Sequence, residues 1–218
     1  HIINRCMFTG LDIVVAVPPG EAGHYYKFTG PTSGARLWIG QAESPLHRMA
    51  DIIRDSNYEW VVRVTHDDIL IDAQSAKELL LECVKQGAGY GSSAGIVEGA
   101  GVEVIHRSNL FAAAERRQEP TEFVSYFVRG EGLPRPGVVR LPVRDSINGN
   151  YRLTLDYHED ALVLEAVLRG LTTAFQIYIH GQQRVFRYRR NLDNLRHHGF
   201  GGYLFAGIFI QVLLKILQ

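Results

Sequence analysis

The sequence predicts an α/β fold with a mostly parallel sheet and helices on both faces. Apolar, β-branched runs at 11–17 and 60–64 lack clean alternation, which is typical of strands covered on both faces. Amphipathic helical patterns follow them at 45–55 and 73–86. Strands and helices alternate along most of the 218 residues, as in sheets whose parallel strands are joined by helices. This length suits one α/β domain with a large core.

In the first half of the chain, the ends of the predicted elements carry clear signals. Pro18 and the two residues after it close the first strand, Ser44 and Asp72 are N-caps of helices, and Gly87 ends the second of these helices. In order, the predicted elements are a helix end at 1–9, a strand at 11–17, an untyped stretch at 21–35, a short strand at 36–40, a helix at 45–55, a strand at 60–64 and a helix at 73–86.

The second half continues the alternation with weaker signals. Ser108 is the predicted N-cap of one helix, Gly170 ends another, and Pro142 places its strand at a sheet edge. The predicted elements are a strand end at 89–93, a strand at 102–105, helices at 108–117 and 120–128, a loop at 131–137, strands at 138–143 and 151–155, and a helix at 157–169.

Composition excludes several classes of protein. The 23 basic and 23 acidic residues balance, so the sequence predicts no nucleic-acid partner. Cys6 and Cys83 lie far apart without metal-type spacing and fit reduced residues of a cytoplasmic protein. No signal-peptide pattern is present. The chain begins at His1 and enters structure almost directly, so we expect further residues upstream.

The C-terminal part, residues 181–218, differs from the domain at 1–180. Residues 182–190 mix arginines with aromatic residues, a pattern that suits phosphates, nucleic acid, an anionic membrane surface or a solvated face. Residues 199–214 carry no charge and predict an apolar helix. This helix is interpreted first as buried or dimer-forming, and we expect the chain to form a homodimer. The alternatives are an anchor on a membrane surface and the start of a span.

Acidic residues follow two of the predicted strands. Asp67 and Asp68 come after the strand at 60–64, and Asp156 ends the strand at 151–155. Because the carboxyl ends of parallel strands share one sheet edge, we expect these acids to lie close together. A pair of carboxylates suits Mg²⁺, which usually accompanies phosphates. The alternatives are a polar turn for the first two acids and a helix N-cap for Asp156.

Four segments of the chain resemble motifs of a known family. Residues 63–72 read Arg-Val-Thr-His-Asp-Asp-Ile-Leu-Ile-Asp and resemble R-V-T-G-D-C-P-L-I-D of cytidylyltransferases of the spore-coat polysaccharide type, which are relatives of the synthetases of CMP-linked sugar acids. Residues 98–104 resemble D-G-x-D-V-E-V, residues 121–129 resemble R-E-H-V-T-P-Y-I-R, and residues 152–160 resemble R-L-T-V-D-T-P-E-D. The four segments occur in family order, and the likeness runs from about residue 11 to residue 171.

The resemblance implies a nucleotide-diphospho-sugar transferase fold, which is GT-A-like and Rossmann-like. It implies a Mg²⁺-dependent nucleotidyltransferase that transfers CMP from CTP to a sugar or sugar acid for polysaccharide biosynthesis. Asp67 and Asp156 match the family's metal-binding acids, and Glu103 falls in the region of the acceptor pocket. Arg63, Asp68 and Arg129 are further candidates for substrate contact. The alternatives are a glycosyltransferase that uses a nucleotide sugar and a non-catalytic descendant that acts as a binding module.

The chain also departs from the family pattern. His66 replaces a glycine, Asp68 replaces a cysteine and Phe123 replaces a histidine. No segment in 1–20 matches the family's N-terminal loop, A-R-x-x-S-x-R-L-P-x-K, whose cations stabilise the transferred phosphate. Despite these departures, we expect a cytoplasmic enzyme, with membrane association through its C-terminal part as an option.

Overall fold

The computed structural model describes residues 1–31, 33–93, 97–141, 152–180 and 209–214. In this part of the chain, one seven-stranded sheet carries helices on both faces. The helices are α1 (Ile2–Met7), α2 (Ala22–Tyr25), α3 (Pro45–Arg54), α4 (Ala73–Gln86), α5 (Arg107–Arg116) and α6 (His158–His180). The strands are β1 (Asp12–Val17), β2 (Ala35–Ile39), β3 (Trp60–Thr65), β4 (Tyr90–Ser92), β5 (Glu103–His106), β6 (Val138–Arg140) and β7 (Phe209–Leu214).

The sheet has the strand order β2-β1-β7-β3-β5-β4-β6. Strands β2 and β1 are parallel, as are β4 and β6. Strand β7 is antiparallel to both of its neighbours, and so is β5. Five of the seven described strands therefore point the same way, and β5 and β7 run against them. The α/β class is confirmed. The sheet is mixed, because four of the six neighbouring pairs are antiparallel.

Neighbouring residues of β3 pack into different layers. Val62 belongs to a core cluster with buried residues of α1 and α4, including Cys6 and Leu79. Val61 belongs to a second cluster with buried residues of α3 and α5, including Met49 and Leu110. Successive side chains of a strand point to opposite faces, so the apolar run of β3 fills both cores. The predicted helices on both faces are confirmed.

Helix caps mark the ends of α4, which follows β3, and the start of α5, which follows β5. The Asp72 carboxylate accepts a hydrogen bond from the Gln74 backbone N–H at 3.0 Å, and Gly87 ends α4 with a left-handed φ of 63°. Both features were expected from the sequence. The N-cap of α5 is His106 rather than the predicted Ser108, because the His106 side chain accepts the Ser108 backbone N–H.

The predicted helix at 120–128 is wrong. These residues form turns between α5 and β6, which combine short local hydrogen bonds with hydrogen bonds to other elements. The amide nitrogen of Asn109, a fully buried residue, donates to the backbone carbonyls of Val128 (3.1 Å) and Arg135 (2.8 Å). The Thr121 backbone N–H donates to the Ser44 hydroxyl at 3.4 Å. Tertiary contacts thus replace the helical ladder that local propensity favours.

Two further predictions for the second half need correction. Of the predicted strand at 151–155, only Arg152 takes part in pairing, through an isolated bridge to Glu98, and 153–155 belong to no strand; Tyr151 lies outside the described residues. Helix α6 does not end at Gly170, because it continues to His180. A glycine inside a helix costs only about 1 kcal/mol, which the flanking helix formers offset. Strand β6 confirms a strand at the sheet edge; residues 142–143 of that prediction lie outside the described part.

The C-terminal part contributes a strand instead of the predicted helix. Residues 209–214 form β7, which pairs with β1 on one side and β3 on the other. The remaining residues of the proposed unit at 181–218, including the basic segment at 182–190, lie outside the described part. Dimerisation and membrane-surface contact through this unit stay predictions. Within the described residues, no helix combines the length and apolarity needed to cross a bilayer.

Candidate functional site

The turn after β3 carries the first two acids. The Asp68 backbone N–H donates to the Thr65 carbonyl at 3.2 Å, and the Thr65 hydroxyl donates to the Asp68 carboxylate at 2.5 Å. The Asp67 carboxylate lies 3.9 Å from Nδ1 of His66. Burial raises the pKa of Asp68 to about 6, and the neighbouring Asp67 raises it further, against the lowering effects of Thr65 and Arg63. Two adjacent acids therefore sit at the carboxyl end of β3 in different environments.

The segment at 152–156 runs directly beside this turn. The Leu155 backbone N–H donates to the Asp67 carbonyl at 3.0 Å, and the Leu153 N–H donates to the Glu98 carbonyl at 2.7 Å. Between them, Gly99 adopts a φ of +89°, and a Cβ placed there would lie 2.3 Å from the Leu153 carbonyl carbon. Only glycine allows both this conformation and this approach. The close packing brings Asp156 to the sheet edge where Asp67 lies.

The side chain of Asp156 is held by its own segment. Its carboxylate accepts from the Thr154 hydroxyl at 2.7 Å and forms an ion pair with Arg152. Arg152 also binds Asp160, at 2.7 Å. Backbone N–H groups of Tyr157 and Asp156 donate to Asp160 and, together with Arg152, lower the pKa of that acid. Asp160 therefore takes the capping role at the start of α6 that was the alternative for Asp156, which leaves the latter to other partners.

The chemistry of the two acids at this edge suits Mg²⁺, although one of them is already engaged. Mg²⁺ is commonly bound through one or two carboxylates, several waters and substrate phosphates. Asp67 and Asp156 supply two such carboxylates, but Asp156 would have to exchange Arg152 for the ion. Among the described residues, no three metal-ligating side chains gather in one place, so Asp68 does not complete a triad. We therefore treat a magnesium site at Asp67 and Asp156 as a proposal.

A second polar cluster lies along the same edge of the sheet. It consists of Glu103, Arg63, Tyr90 and Ser125, and is called the Glu103 cluster below. Glu103 faces Arg63 across the β3–β5 pair, and the two side chains form an ion pair. The hydroxyls of Tyr90 and Ser125 each donate to the Glu103 carboxylate at 2.5 Å. Glu103 is thus an inward-facing acid, whose side chain is only 16% exposed, and not the outward strand residue that the pattern also allowed.

Opposing effects act on the charge of Glu103. Burial raises its pKa, but Arg63 and the two hydroxyl donors outweigh burial and bring the pKa below its usual value. Burial and the adjacent carboxylate raise the pKa of Tyr90. Glu103 therefore stays ionised at neutral pH and orders the groups around it.

Arg129 adjoins the Glu103 cluster through aromatic contacts. Its guanidinium lies 5.8 Å from the ring centroid of Tyr90 and 5.5 Å from that of Tyr126. Both distances lie within the range of cation–π interactions. Of the six site residues predicted from the sequence, Arg63, Glu103 and Arg129 therefore come together, and Asp67, Asp68 and Asp156 share the same sheet edge.

Sequence reasoning missed three residues near this edge. Tyr90 and Ser125 complete the Glu103 cluster. The family motif has a threonine at the position of Ser125, which could have suggested a hydroxyl donor at that residue. Arg48 on α3 is fully buried and donates to the Gln41 carbonyl at 2.7 Å, at the carboxyl end of β2. Burial lowers its pKa to about 10. A buried arginine in an amphipathic helix gives no signal in the sequence pattern.

The sheet and its two helical layers define a Rossmann-like α/β fold, and the acids lie at the carboxyl edge of that sheet. No family model matches the chain, and no curated protein matches it either. Among solved structures, a cytidylyltransferase from Leptospira borgpetersenii serovar Hardjo-bovis (strain JB197) has the same fold, with a TM-score of 0.60 and 20% identity. The likeness covers 73% of this chain and 70% of that one. The chain therefore shares the fold of a cytidylyltransferase.

Proposed function

We propose that this chain is a Mg²⁺-dependent nucleotidyltransferase that transfers CMP from CTP to a sugar or sugar acid. The proposal rests on one observation above all: the hydrogen bond from Leu155 to the Asp67 carbonyl sets the backbones of the two motif acids side by side. The four motifs in family order and the fold shared with a cytidylyltransferase support the same activity.

In this reaction an acceptor oxygen attacks the α-phosphorus of CTP. The bond from that oxygen to phosphorus forms, the bond from phosphorus to the β-phosphate oxygen breaks, and pyrophosphate leaves; an acceptor hydroxyl also releases its proton to solvent. Asp67 and Asp156 would hold the Mg²⁺, which when bound neutralises phosphate charge and polarises the phosphorus. The bound ion would also balance the negative charge of the two acids, so that the triphosphate could lie at this edge.

The Glu103 cluster supplies the acceptor side of the proposed site. Glu103 lies opposite Arg63, two residues before Thr65 ends β3, so the cluster is about 7 Å from the acidic turn along the strand. A carboxylate, an arginine and two hydroxyls suit the hydroxyl groups of a sugar. Arg129 adds a second cation for an anionic acceptor or for the phosphates.

Pyrophosphate release tests the proposal. Purified protein is given CTP, Mg²⁺ and a panel of sugars and sugar acids, and the same mixtures with EDTA serve as blanks. We expect pyrophosphate release that requires both an acceptor and Mg²⁺ and that EDTA abolishes. Asp67→Asn should lower the rate about 100-fold or more, because a catalytic metal contributes several kcal/mol. Asp55→Asn changes an exposed acid at the end of α3 and should leave the rate unchanged.

The same assay separates the competing functions. A glycosyltransferase would consume a nucleotide sugar and release no pyrophosphate from CTP. A non-catalytic binding module would release none under any condition. Retained activity in Asp67→Asn would refute the role given to that acid.

A further inference from the structure

Two aromatic side chains stand exposed on the loop that carries Ser125 and Arg129. Phe123 is 65% exposed and Tyr126 is 69% exposed, and their rings meet edge to face with centroids 6.2 Å apart. The same loop is anchored by Val124 and Val128, which are buried in the core. A loop with fixed apolar anchors therefore presents a paired aromatic surface to the outside. Contiguous exposed apolar surface on a folded domain is a candidate binding site.

This surface is tied to the Glu103 cluster at two points. Ser125 lies between the two aromatic residues in sequence, and its hydroxyl donates to Glu103 at 2.5 Å. The Arg129 guanidinium packs on the rings of Tyr126 and Tyr90, and the Tyr90 hydroxyl donates to the same carboxylate. The exposed rings are therefore held in a defined position beside Ser125 and Arg129, which are partly exposed and can contact hydroxyls.

An aromatic surface with hydroxyl-binding groups beside it matches the chemistry of a pyranose ring. One face of a pyranose presents C–H groups, which pack on an aromatic ring, while its hydroxyls seek carboxylate, guanidinium and hydroxyl partners. The two rings stand at 78° to each other, so a flat ligand stacks on only one of them and its other contacts come from the polar groups beside it. A sugar, whose rim carries several hydroxyls, uses those polar groups more fully than a base does.

We propose that Phe123 and Tyr126 form an aromatic platform on which the ring of a pyranose sugar stacks. Arg129 is a positioning residue that holds the Tyr126 ring in place through its cation–π contact. The inference rests on the proposed function in one respect, since the stacked sugar is taken to be the acceptor. In the family pattern these two positions carry histidine and proline, so the platform is a property of this chain's own residues.

Saturation-transfer NMR on the full chain tests the platform without any nucleotide. The probes are D-glucose, D-glucuronate, N-acetylneuraminate and, separately, cytidine. We expect saturation of ring protons for at least one of the three sugars, and at least a fivefold loss of that signal in both Phe123→Ala and Tyr126→Ala. Tyr26→Ala is the matched control, because Tyr26 is 62% exposed on the turn after α2. It should keep the wild-type signal.

Variants of Arg129 separate positioning from general damage to the fold. Arg129→Lys keeps a cation beside the two rings and should retain most of the signal, whereas Arg129→Ala should lose it. Thermal unfolding midpoints within a few degrees of wild type would show that each variant is folded. Equal signals from Arg129→Ala and Arg129→Lys would overturn the positioning role.

The outcomes also separate the platform from the proposed function. Pyrophosphate release with an acceptor KM unchanged in Tyr126→Ala would overturn the platform and leave the function standing. Sugar saturation that depends on Tyr126, without pyrophosphate release, would keep the platform and overturn the function. No saturation from any of the three sugars, or losses in Tyr126→Ala confined to cytidine, would overturn the platform.

Discussion

Protonation of His106 should destabilise the fold as the pH falls, and replacing this residue by Asn should remove that sensitivity. His106 is 7% exposed, and its ring packs edge-on against Trp60 with centroids 4.8 Å apart. Nδ1 accepts the Ser108 backbone N–H at 3.2 Å, so this nitrogen must be unprotonated for the cap to form. Burial, followed by the charges of Arg135 and Arg107, lowers the pKa of His106 to about 4.

The lowered pKa sets both the sign and the size of the effect. The folded state binds the proton less well than the unfolded state, whose pKa is about 6.5. The stabilisation is therefore complete above pH 6.5 and is lost as the pH falls towards 4. A difference of about 2.5 pKa units corresponds to about 3 kcal/mol in full, and about 2 kcal/mol of it is already lost at pH 5.

Urea unfolding at pH 7.5 and pH 5.0 measures this loss. His106→Asn keeps a side-chain acceptor for the helix cap but does not titrate in this range. Between the two pH values, the wild type should lose about 2 kcal/mol more free energy of unfolding than the variant. Contributions from other titrating groups are common to both proteins and cancel. His24→Asn, at an exposed position in α2, should behave like the wild type. A difference between wild type and His106→Asn that is the same at both pH values would refute the reasoning.

Three further substitutions test the packing around the site. Gly99→Ala should lower the free energy of unfolding by about 3 kcal/mol, measured in urea, because the left-handed backbone and the 2.3 Å approach exclude a Cβ; an unchanged midpoint would contradict this. Asn109→Asp removes both donors that hold the loop at 121–137 and should cost about 3 kcal/mol by thermal unfolding, whereas a neutral effect would show that the loop is anchored elsewhere. Glu103→Gln leaves Arg63 without its ion pair and should cost about 2 kcal/mol in urea, and a stabilised variant would refute the role of the pair.

Much of the fold could be predicted because the signals are local. The apolar runs of β1 and β3 gave both strands, and the caps at Asp72 and Gly87 gave α4 with its ends. These residues dictate structure through their own backbone preferences and side-chain bonds, whatever surrounds them. The pairing direction of β5 was not predictable in this way, because it depends on which neighbours the strand meets in the sheet.

The failures lie where contacts distant in sequence decide the structure. The turns at 120–128 have a helical pattern, but their backbone is held by Asn109 and Ser44. Strand β7 also depends on partners far along the chain. In the site, the motif acids followed from strand ends and from the resemblance. The donors that surround Glu103 come from different elements, so spacing in the sequence contains no information about them.

The Glu103 carboxylate has a consequence for how this site can change over evolutionary time. It accepts from Arg63, Tyr90 and Ser125, which come from β3, β4 and the loop after α5. Replacing any one of the four leaves another without its counterpart in a mostly buried place, so single changes are selected against. Among homologous sequences we expect these positions to covary, with the acid and the arginine exchanged together or not at all. Such covariation would be evidence for these contacts that does not depend on any structure.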